Sequence, residues 1–247
     1  ALGLWSVQTS QLTPQHTVAV VSLLHIVSMV KSDSVIPSFV PQSDVAEVLL
    51  GEELIQKRVR ELGKQISLDY QETLLGSPLL ILVVLKGAFV FAADLVRALQ
   101  VAVEIDYLAF ESYGKKTQSD RVHLLQELKA DVRGRHILVV DDIFDTGKTL
   151  EYTSFILASS GAASVKLCTF LFKPERVETD LRANYVGFSI PNRFVVGYGM
   201  DVGGQLRSLR CVAVLRGDHM GEGQRRRHKG MPQDGASPSP SSRATPM

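Results

Sequence analysis

The sequence has few of the features that mark secreted, membrane-spanning or nucleic-acid-binding proteins. It has only 2 cysteines in 247 residues, Cys168 and Cys211, and both lie in apolar runs, so we expect two buried thiols and no disulfide framework. No apolar run reaches the roughly 18 to 20 residues that a membrane span requires. The formal net charge is only +1, which gives no overall attraction to nucleic acid or to an anionic membrane. We therefore expect a cytoplasmic protein with neither kind of partner.

Charge is also missing from the start of the chain. Residues 1–28 contain no Asp, Glu, Lys or Arg, and they have neither the basic start of a secretory signal nor the arginines of a mitochondrial transit peptide. We treat residues 1–43 as an extension of unknown role. At the other end, residues 217–247 have almost no large apolar side chains, so they are expected to form a disordered polar tail. Residues 44–216 remain as the predicted domain.

Between these ends, segments that are typical of strands alternate with segments of helical spacing. Residues 44–70 carry apolar side chains near helical spacing and predict an amphipathic helix. Residues 79–85 form a continuous apolar run, which is typical of a strand buried on both faces. The other predicted elements are helices at 88–99 and 147–160, and strands at 101–110, 136–140, 164–172, 185–188, 194–198 and 211–215. This alternation predicts an α/β fold with a doubly wound, mainly parallel sheet, in which ligands bind outside the carboxyl ends of the strands.

An acidic segment, predicted as a loop, follows the strand at 136–140. It contains Asp141, Asp142 and Asp145, and it leads into the Thr-Gly-Lys-Thr turn of residues 146–149 at the start of a helix. Free backbone N–H groups at a helix start can bind a phosphate, and Gly147 permits close approach. Three carboxylates would repel a phosphate unless they also hold ribose hydroxyls, a Mg²⁺ ion or both. The segment therefore predicts a site for a phosphorylated sugar.

Two other interpretations explain this segment less well. An ATP- or GTP-binding P-loop needs a glycine five residues before Gly147, and that position is Asp142. A simple helix cap would account for one side chain, Asp145 or Thr146, but not for three carboxylates.

Several motifs, in order along the chain, resemble those of one enzyme family. Residues 139–149 resemble the phosphoribosyl diphosphate-binding motif of the phosphoribosyltransferases: two hydrophobic residues, two acids, two hydrophobic residues, then Asp-Thr-Gly. Over residues 44–216 the chain resembles the hypoxanthine-guanine phosphoribosyltransferase family, particularly its bacterial type. The other segments that carry this resemblance are residues 84–87, 112–114, 173–176, 185–188 and 190–201.

The resemblance implies a fold and a reaction. The fold would be the type I phosphoribosyltransferase fold, with a small hood from residues 173–201 over the purine site. The reaction would join hypoxanthine or guanine to the sugar of phosphoribosyl diphosphate, giving IMP or GMP and pyrophosphate in purine salvage. The resemblance also implies Mg²⁺ as cofactor and a homodimer or homotetramer.

The acidic segment and its turn are implied to hold the phosphoribosyl group. Asp145 would have the catalytic proton role on the imidazole side of the purine. Asp141 and Asp142 would meet the ribose hydroxyls and Mg²⁺, although many relatives have Glu at the first of these positions. The implied 5′-phosphate site consists of Thr146, Gly147, Lys148 and Thr149.

The diphosphate is implied to lie against a second loop. Residues Leu85, Lys86 and Gly87 match the family's pyrophosphate loop, in which a non-proline cis peptide precedes the lysine. Arg207 would contact the pyrophosphate, and Asp201 would be a second Mg²⁺ contact.

The purine is implied to meet three residues. Lys173 would contact the six-position oxygen of the base, Phe194 would stack on its ring, and Val195 would present backbone to the opposite edge. Residues 112–120, including Ser112 and Tyr113, would form a lid. Val202, Gly203 and Gly204 depart from the family's aromatic and polar residues, so we expect a softer loop there.

Two alternatives remain open at the level of sequence. The chain would be a non-catalytic regulator if it bound phosphoribosyl diphosphate or nucleotide without turnover. It would be a xanthine-preferring transferase if the residues near Val195 and residues 200–204 favoured a second oxygen on the base.

Overall fold

The computed structural model describes residues 45–74, 76–111, 123–124 and 130–216. The predicted extension of residues 1–43, the lid residues Ser112 and Tyr113, and the tail of residues 217–247 lie outside this part of the chain. Within it, no helix is both long and apolar enough to cross a membrane.

Nine strands and three α-helices make up the described chain. In chain order they are β1 (Val45–Leu50), α1 (Glu52–Tyr70), β2 (Leu79–Leu85), α2 (Phe89–Ala98), β3 (Val103–Glu111), β4 (His123–Leu124), β5 (His136–Phe144), α3 (Lys148–Ser159), β6 (Ser164–Phe172), β7 (Tyr185–Ser189), β8 (Val195–Val196) and β9 (Val212–Leu215). A short 3₁₀ turn, Pro174–Arg176, follows β6.

The main sheet confirms the predicted α/β fold. Its strand order is β4-β3-β2-β5-β6-β7. Every neighbouring pair from β3 to β7 is parallel, and only the short edge strand β4 is antiparallel. Because ligands of such sheets bind at the carboxyl ends of the strands, the ends of the central strands β2, β5 and β6 define where the site must lie.

The main sheet is covered on both faces. Successive side chains of a strand point to opposite faces, and in β2 Ile81 packs in one apolar cluster with α1 and α2 while Leu82 packs in a second with α3. This accounts for the unbroken apolar sequence of β2. Cys168 lies in the first cluster and Cys211 beside the smaller sheet, and both are free and buried, as predicted.

A second, smaller sheet forms the hood. Its order is β1-β9-β8, and both pairings are antiparallel. The prediction of one helix over residues 44–70 was wrong at its start, because residues 45–50 pair with residues 212–215 and form a strand. The hood is therefore built from residues 45–50, 195–196 and 212–215, and not from residues 173–201 alone.

The end of β5 also differs from the prediction. We expected the strand to stop at Val140 and Asp141 to begin a loop, but β5 continues to Phe144. Parallel pairing with β6 holds this extension, since Asp141 lies opposite Thr169 and Phe144 opposite Phe172. Asp141 and Asp142 therefore belong to strand β5 itself, and only Asp145 lies in the segment that follows the strand.

Candidate active site

Three neighbouring strands end together at one edge of the main sheet. Strands β2, β5 and β6 are adjacent and parallel. They end at Leu85, Phe144 and Phe172, so the residues that follow them lie on the same side of the sheet. These following residues are Lys86 and Gly87 after β2, Asp145 to Thr149 after β5, and Lys173 after β6. The sheet therefore brings together three of the segments that the sequence singled out.

The loop after β2 packs directly against the acidic pair of β5. The peptide bond between Leu85 and Lys86 is cis, as the resemblance implies. Gly87 has no side chain, and a Cβ atom there would lie 1.7 Å from Oδ2 of Asp142. A Cβ atom on Gly199, whose φ is +103°, would lie 2.1 Å from the carbonyl oxygen of Gly87. A side chain at Gly87 would collide with the Asp142 carboxylate, and one at Gly199 would collide with the backbone of Gly87. Both positions therefore require glycine.

Asp141 and Asp142 form an acidic pair in which Asp141 is buried and Asp142 is half-buried. The backbone N–H of Asp142 donates to Oδ1 of Asp141 over 2.9 Å. Burial, followed by the charge of Asp142, raises the pKa of Asp141 well above its ordinary value. Burial also raises the pKa of Asp142, although the charge of Arg207 acts in the opposite direction. Such a pair favours a bound proton until a cation or hydroxyl donors stabilise the ionised carboxylates.

Arg207 and Asp201 form an ion pair beside this loop. Nη2 of Arg207 lies 2.7 Å from Oδ1 of Asp201. Nη1 of the same guanidinium donates to the carbonyl oxygen of Gly199 over 2.6 Å. Because Gly199 packs against Gly87, the arginine is fixed next to the loop that follows β2.

The segment between these two residues is a closed turn. The N–H of Val202 donates to the carbonyl of Gln205 over 3.2 Å, and the N–H of Gln205 donates back over 3.0 Å. Gly203 and Gly204 have φ values of +59° and +84°, as a two-residue hairpin turn requires. Oδ2 of Asp201 also accepts the N–H of Gly204 over 2.6 Å. Residues 202–205 therefore form a tight turn, for which the two glycines are suited, and the predicted softness of this loop stays a prediction.

The turn before α3 has the geometry of an anion site. Gly147 is the N-cap residue with φ +85°, and among the described residues no side chain caps the helix. The capping role considered for Asp145 or Thr146 is thus not used, and the first N–H groups of the 12-residue helix remain for a ligand. A cleft of about 70 Å³ lies here, lined by Asp141, Ile143, Phe144, Asp145, Thr146, Gly147, Thr149 and Leu150.

Lys148 is directed to a neighbouring carboxylate. Its Nζ lies 2.8 Å from Oε2 of Glu178. The hydrogen bond and the charge of Lys148 lower the pKa of the Glu178 carboxyl. The backbone N–H of Glu178 also donates to the carbonyl of Thr146 over 3.0 Å. This bond holds the segment around Glu178 beside the turn before α3.

Lys173 lies buried beside Asp145. Only 7% of the Lys173 surface is exposed to solvent. Burial lowers its pKa, while the charge of Asp145 acts in the opposite direction. The backbone N–H of Lys173 donates to the carbonyl of Phe144 over 3.0 Å, so the end of β6 is tied to the end of β5.

The structure adds a residue that sequence reasoning did not assign. Nε of Arg176 lies 2.9 Å from Oδ1 of Asp145. Arg176 belonged to a motif that supported the family resemblance, but no role was attached to it. The only signal was its position three residues after Lys173 on a turn that begins with Pro174.

Phe194 and Val195 belong to the hood. Val195 is buried in β8 and pairs with Val214 of β9. Phe194 is half-buried and packs against the apolar cluster of the hood. Val195 thus lies in the smaller sheet, with Phe194 directly before its strand β8, whereas Asp141 and Asp142 lie in the main sheet.

Comparison with known proteins agrees with this arrangement. The profile of the phosphoribosyl transferase domain matches residues 47–202, and the chain belongs to the phosphoribosyltransferase family. The hypoxanthine-guanine phosphoribosyltransferase of Mycobacterium bovis is 43% identical over 175 residues, which are 70% of this chain and 87% of that protein. The Bacillus subtilis protein of the same name is 41% identical over 174 residues, which are 70% of this chain and 94% of that protein.

Solved structures give the same result. Trypanosoma cruzi hypoxanthine phosphoribosyltransferase in complex with the product IMP matches with a TM-score of 0.68 and 37% identity, covering 73% of this chain and 99% of that one. Within its family, the chain therefore falls with the hypoxanthine-guanine phosphoribosyltransferases, and its similarity is to the bacterial type.

Proposed function

We propose that the protein transfers the phosphoribosyl group of phosphoribosyl diphosphate to hypoxanthine or guanine, giving IMP or GMP and pyrophosphate in purine salvage. The observation that carries this proposal is the convergence of three strand-end segments, residues 85–87, 141–149 and 173, at one edge of the parallel sheet. The names of the relatives support the same reaction.

The phosphoribosyl group would be held by the β5 edge and the turn that follows it. The uncapped start of α3 supplies N–H donors for the 5′-phosphate, and Thr146 and Thr149 add hydroxyls. Asp141 and Asp142 would accept the ribose hydroxyls. Lys148 would contribute mainly by its charge, because its ammonium group is paired with Glu178.

The diphosphate would lie between the loop after β2 and Arg207. Gly87 packs against Asp142. Lys86 and the backbone of Gly87 would therefore lie next to the sugar carbon that reacts. Arg207 would donate in the fork geometry that a lysine cannot reproduce. For this it must exchange part of its pairing with Asp201 for the diphosphate oxygens.

Mg²⁺ fits the acidic pair when the substrate supplies the remaining oxygens. Among residues 45–74, 76–111, 123–124 and 130–216, no group of three or more His, Cys, Asp or Glu side chains could hold a metal ion by itself. Mg²⁺ usually binds one or two carboxylates and takes its other ligands from substrate and water. Burial and the charge of Asp142 raise the pKa of Asp141, and a cation bound there would stabilise its ionised form. We assign Asp141 and Asp142 to such an ion and Asp201 to a second contact with Mg²⁺, which would screen the departing diphosphate.

Asp145 would manage the proton of the base. As a purine ring nitrogen bonds to the anomeric carbon and the bond from that carbon to the diphosphate breaks, the imidazole side of the purine loses a proton. The carboxylate of Asp145 is half-buried beside the phosphate turn and would accept it. General acid–base help of this kind typically contributes about 10²- to 10⁴-fold in rate.

Base recognition would be shared between Lys173 and the hood. The ammonium group of Lys173 would donate to the six-position oxygen, and adenine, which carries a donor there, would leave two donors facing each other. Phe194 would stack on the ring and Val195 would present backbone to its other edge. A lid containing Ser112 and Tyr113, a homodimer or homotetramer, and a cytoplasmic location remain parts of this proposal.

Rates with four bases under one condition test the assignment. With saturating phosphoribosyl diphosphate and Mg²⁺, kcat/KM should be highest for hypoxanthine or guanine, and that for adenine should be lower by more than about a hundredfold. A preference for xanthine would support the xanthine-preferring alternative, whereas binding of phosphoribosyl diphosphate without any nucleotide product would support a regulator. A preference for adenine would contradict the assignment of Lys173.

A further inference from the structure

The segment after β6 is fastened across Asp145 on both sides. The N–H of Lys173 donates to the carbonyl of Phe144, and the N–H of Glu178 donates to the carbonyl of Thr146, each over 3.0 Å. Phe144 and Thr146 are the two neighbours of Asp145 in sequence. Residues 173–178 therefore span the backbone that carries Asp145.

The side chain of Arg176 reaches the carboxylate from the middle of this span. Pro174 begins the 3₁₀ turn, and the N–H of Arg176 donates to the carbonyl of Lys173 over 3.0 Å. Nε of Arg176 then lies 2.9 Å from Oδ1 of Asp145. The side chain of Arg176 is 40% exposed and that of Asp145 is 44% exposed, so the contact lies at the open side of the site.

The pairing leaves one carboxylate oxygen for the substrate. Among the described residues, Arg176 is the only hydrogen-bond donor to the Asp145 carboxylate, and it donates to Oδ1. A charge-assisted bond to one oxygen restrains rotation of the carboxylate, which favours one direction for the second oxygen. A surface ion pair of this exposure contributes little to stability, so its role is better sought in geometry.

We infer that Arg176 is a positioning residue that orients the Asp145 carboxylate toward the purine, with Oδ1 held by the guanidinium and Oδ2 left for the base. The inference rests on the proposed phosphoribosyl transfer and adds a residue to it. It also links two functions, because one short turn carries both Lys173, which would recognise the base, and Arg176, which would aim the group that takes its proton.

The test is a double-mutant cycle in the full-length protein. Arg176→Gln should lower kcat for IMP formation by about 10- to 100-fold, which is part of the typical contribution of acid–base help, and should leave the KM for phosphoribosyl diphosphate within about twofold. In an Asp145→Asn background the same substitution should have almost no further effect, since the group that it positions is gone. Arg176→Lys should recover part of kcat, because it keeps the charge but not the planar fork.

Arg182→Gln is the matched control, since Arg182 is an exposed arginine six residues along the same segment. It should leave both kcat and KM unchanged. Thermal unfolding of each variant shows whether it is folded. If Arg176→Gln does not fold, the cycle is measured with Arg176→Lys in its place.

Three outcomes would count against the inference. It is overturned if Arg176→Gln turns over like the parent, or if its loss of kcat is as large in the Asp145→Asn background. A parent protein that forms no IMP or GMP overturns both this inference and the proposed function, whereas an active parent with an indifferent Arg176 overturns this inference alone.

Discussion

At the scale of single residues, Lys173 combines a useful position with a cost to the folded state. Its side chain is buried, and the burial lowers its pKa. A buried charge of this kind costs free energy that a buried apolar group does not. The residue is therefore expected to serve binding at the expense of stability.

Lys173→Met should make that cost visible. The free energy of unfolding should rise by about 1 kcal/mol near neutral pH, and use of hypoxanthine should be lost. The folded-state pKa lies below the ordinary value of 10.5, so the penalty is fully present below the folded-state pKa and disappears as the pH rises through 10.5. Thermal unfolding should give a Tm roughly 2–4 °C above the parent at neutral pH, with the gap closing near pH 11.

Lys64→Met is the matched control, because Lys64 lies on the exposed face of α1. It should not raise the Tm at either pH. A Lys173→Met protein that melts below the parent at neutral pH would show that the ammonium group stabilises the fold.

The sequence could name candidate residues where a motif carried them, but not residues that only a contact in the fold brings together. The acids of the segment after β5 could be named because three carboxylates beside a helix start have few structural explanations. The pairing of Arg176 with Asp145 could not be foreseen, since it joins residues from two strand ends that only the parallel sheet makes neighbours.

At the scale of elements, the central strands were predicted because their apolar runs are a local property. Strand β1 was missed, because its partner β9 lies more than 160 residues away and residues 45–50 carry no unbroken apolar run. The length of β5 was underestimated for a related reason: Asp141 and Asp142 are polar, and only the pairing with β6 keeps them in a strand.

Gly87→Ala tests the contact between the end of β2 and the edge of β5. A Cβ atom there would lie 1.7 Å from Oδ2 of Asp142, so the carboxylate or the loop must move. We expect the Kd for phosphoribosyl diphosphate to rise by more than about tenfold and stability to fall by about 1–3 kcal/mol. Titration calorimetry and chemical denaturation measure the two effects separately.

The control for this change is Gly134→Ala. Gly134 has φ +68°, but nothing lies within 4 Å of an added Cβ. It should therefore lose about 1 kcal/mol of stability through backbone strain while keeping the parent's affinity. If Gly87→Ala bound the sugar diphosphate as tightly as Gly134→Ala, the packing of Gly87 against Asp142 would not matter for the site.

At the scale of the whole molecule, the described part of the chain, within residues 45–216, carries two main apolar clusters and the hood. A chain reduced to residues 44–216 is therefore expected to fold and to keep kcat/KM for hypoxanthine within about threefold of the full-length protein. The rate assay and thermal unfolding check this together. The bulk composition supports the expectation, since both removed segments differ from the domain in charge or apolar content.

A second truncation sharpens this test. A chain that stops at Cys211 removes β9, which is the central strand of the hood and pairs with both β1 and β8. That chain should lose cooperative unfolding or form no soluble protein. If it matched the chain of residues 44–216 in both respects, the hood would be unnecessary for the fold.

The pairing of β1 with β9 has a consequence for how the protein is made. Val45 lies opposite Leu215, so the first and last described strands meet at one corner of the molecule. A ribosome delivers every strand of the main sheet by residue 189, yet the hood must wait until residue 215 has emerged. A nascent chain can thus complete its main sheet first, and the hood, which would share the purine with Lys173, is the last part of the domain to be finished.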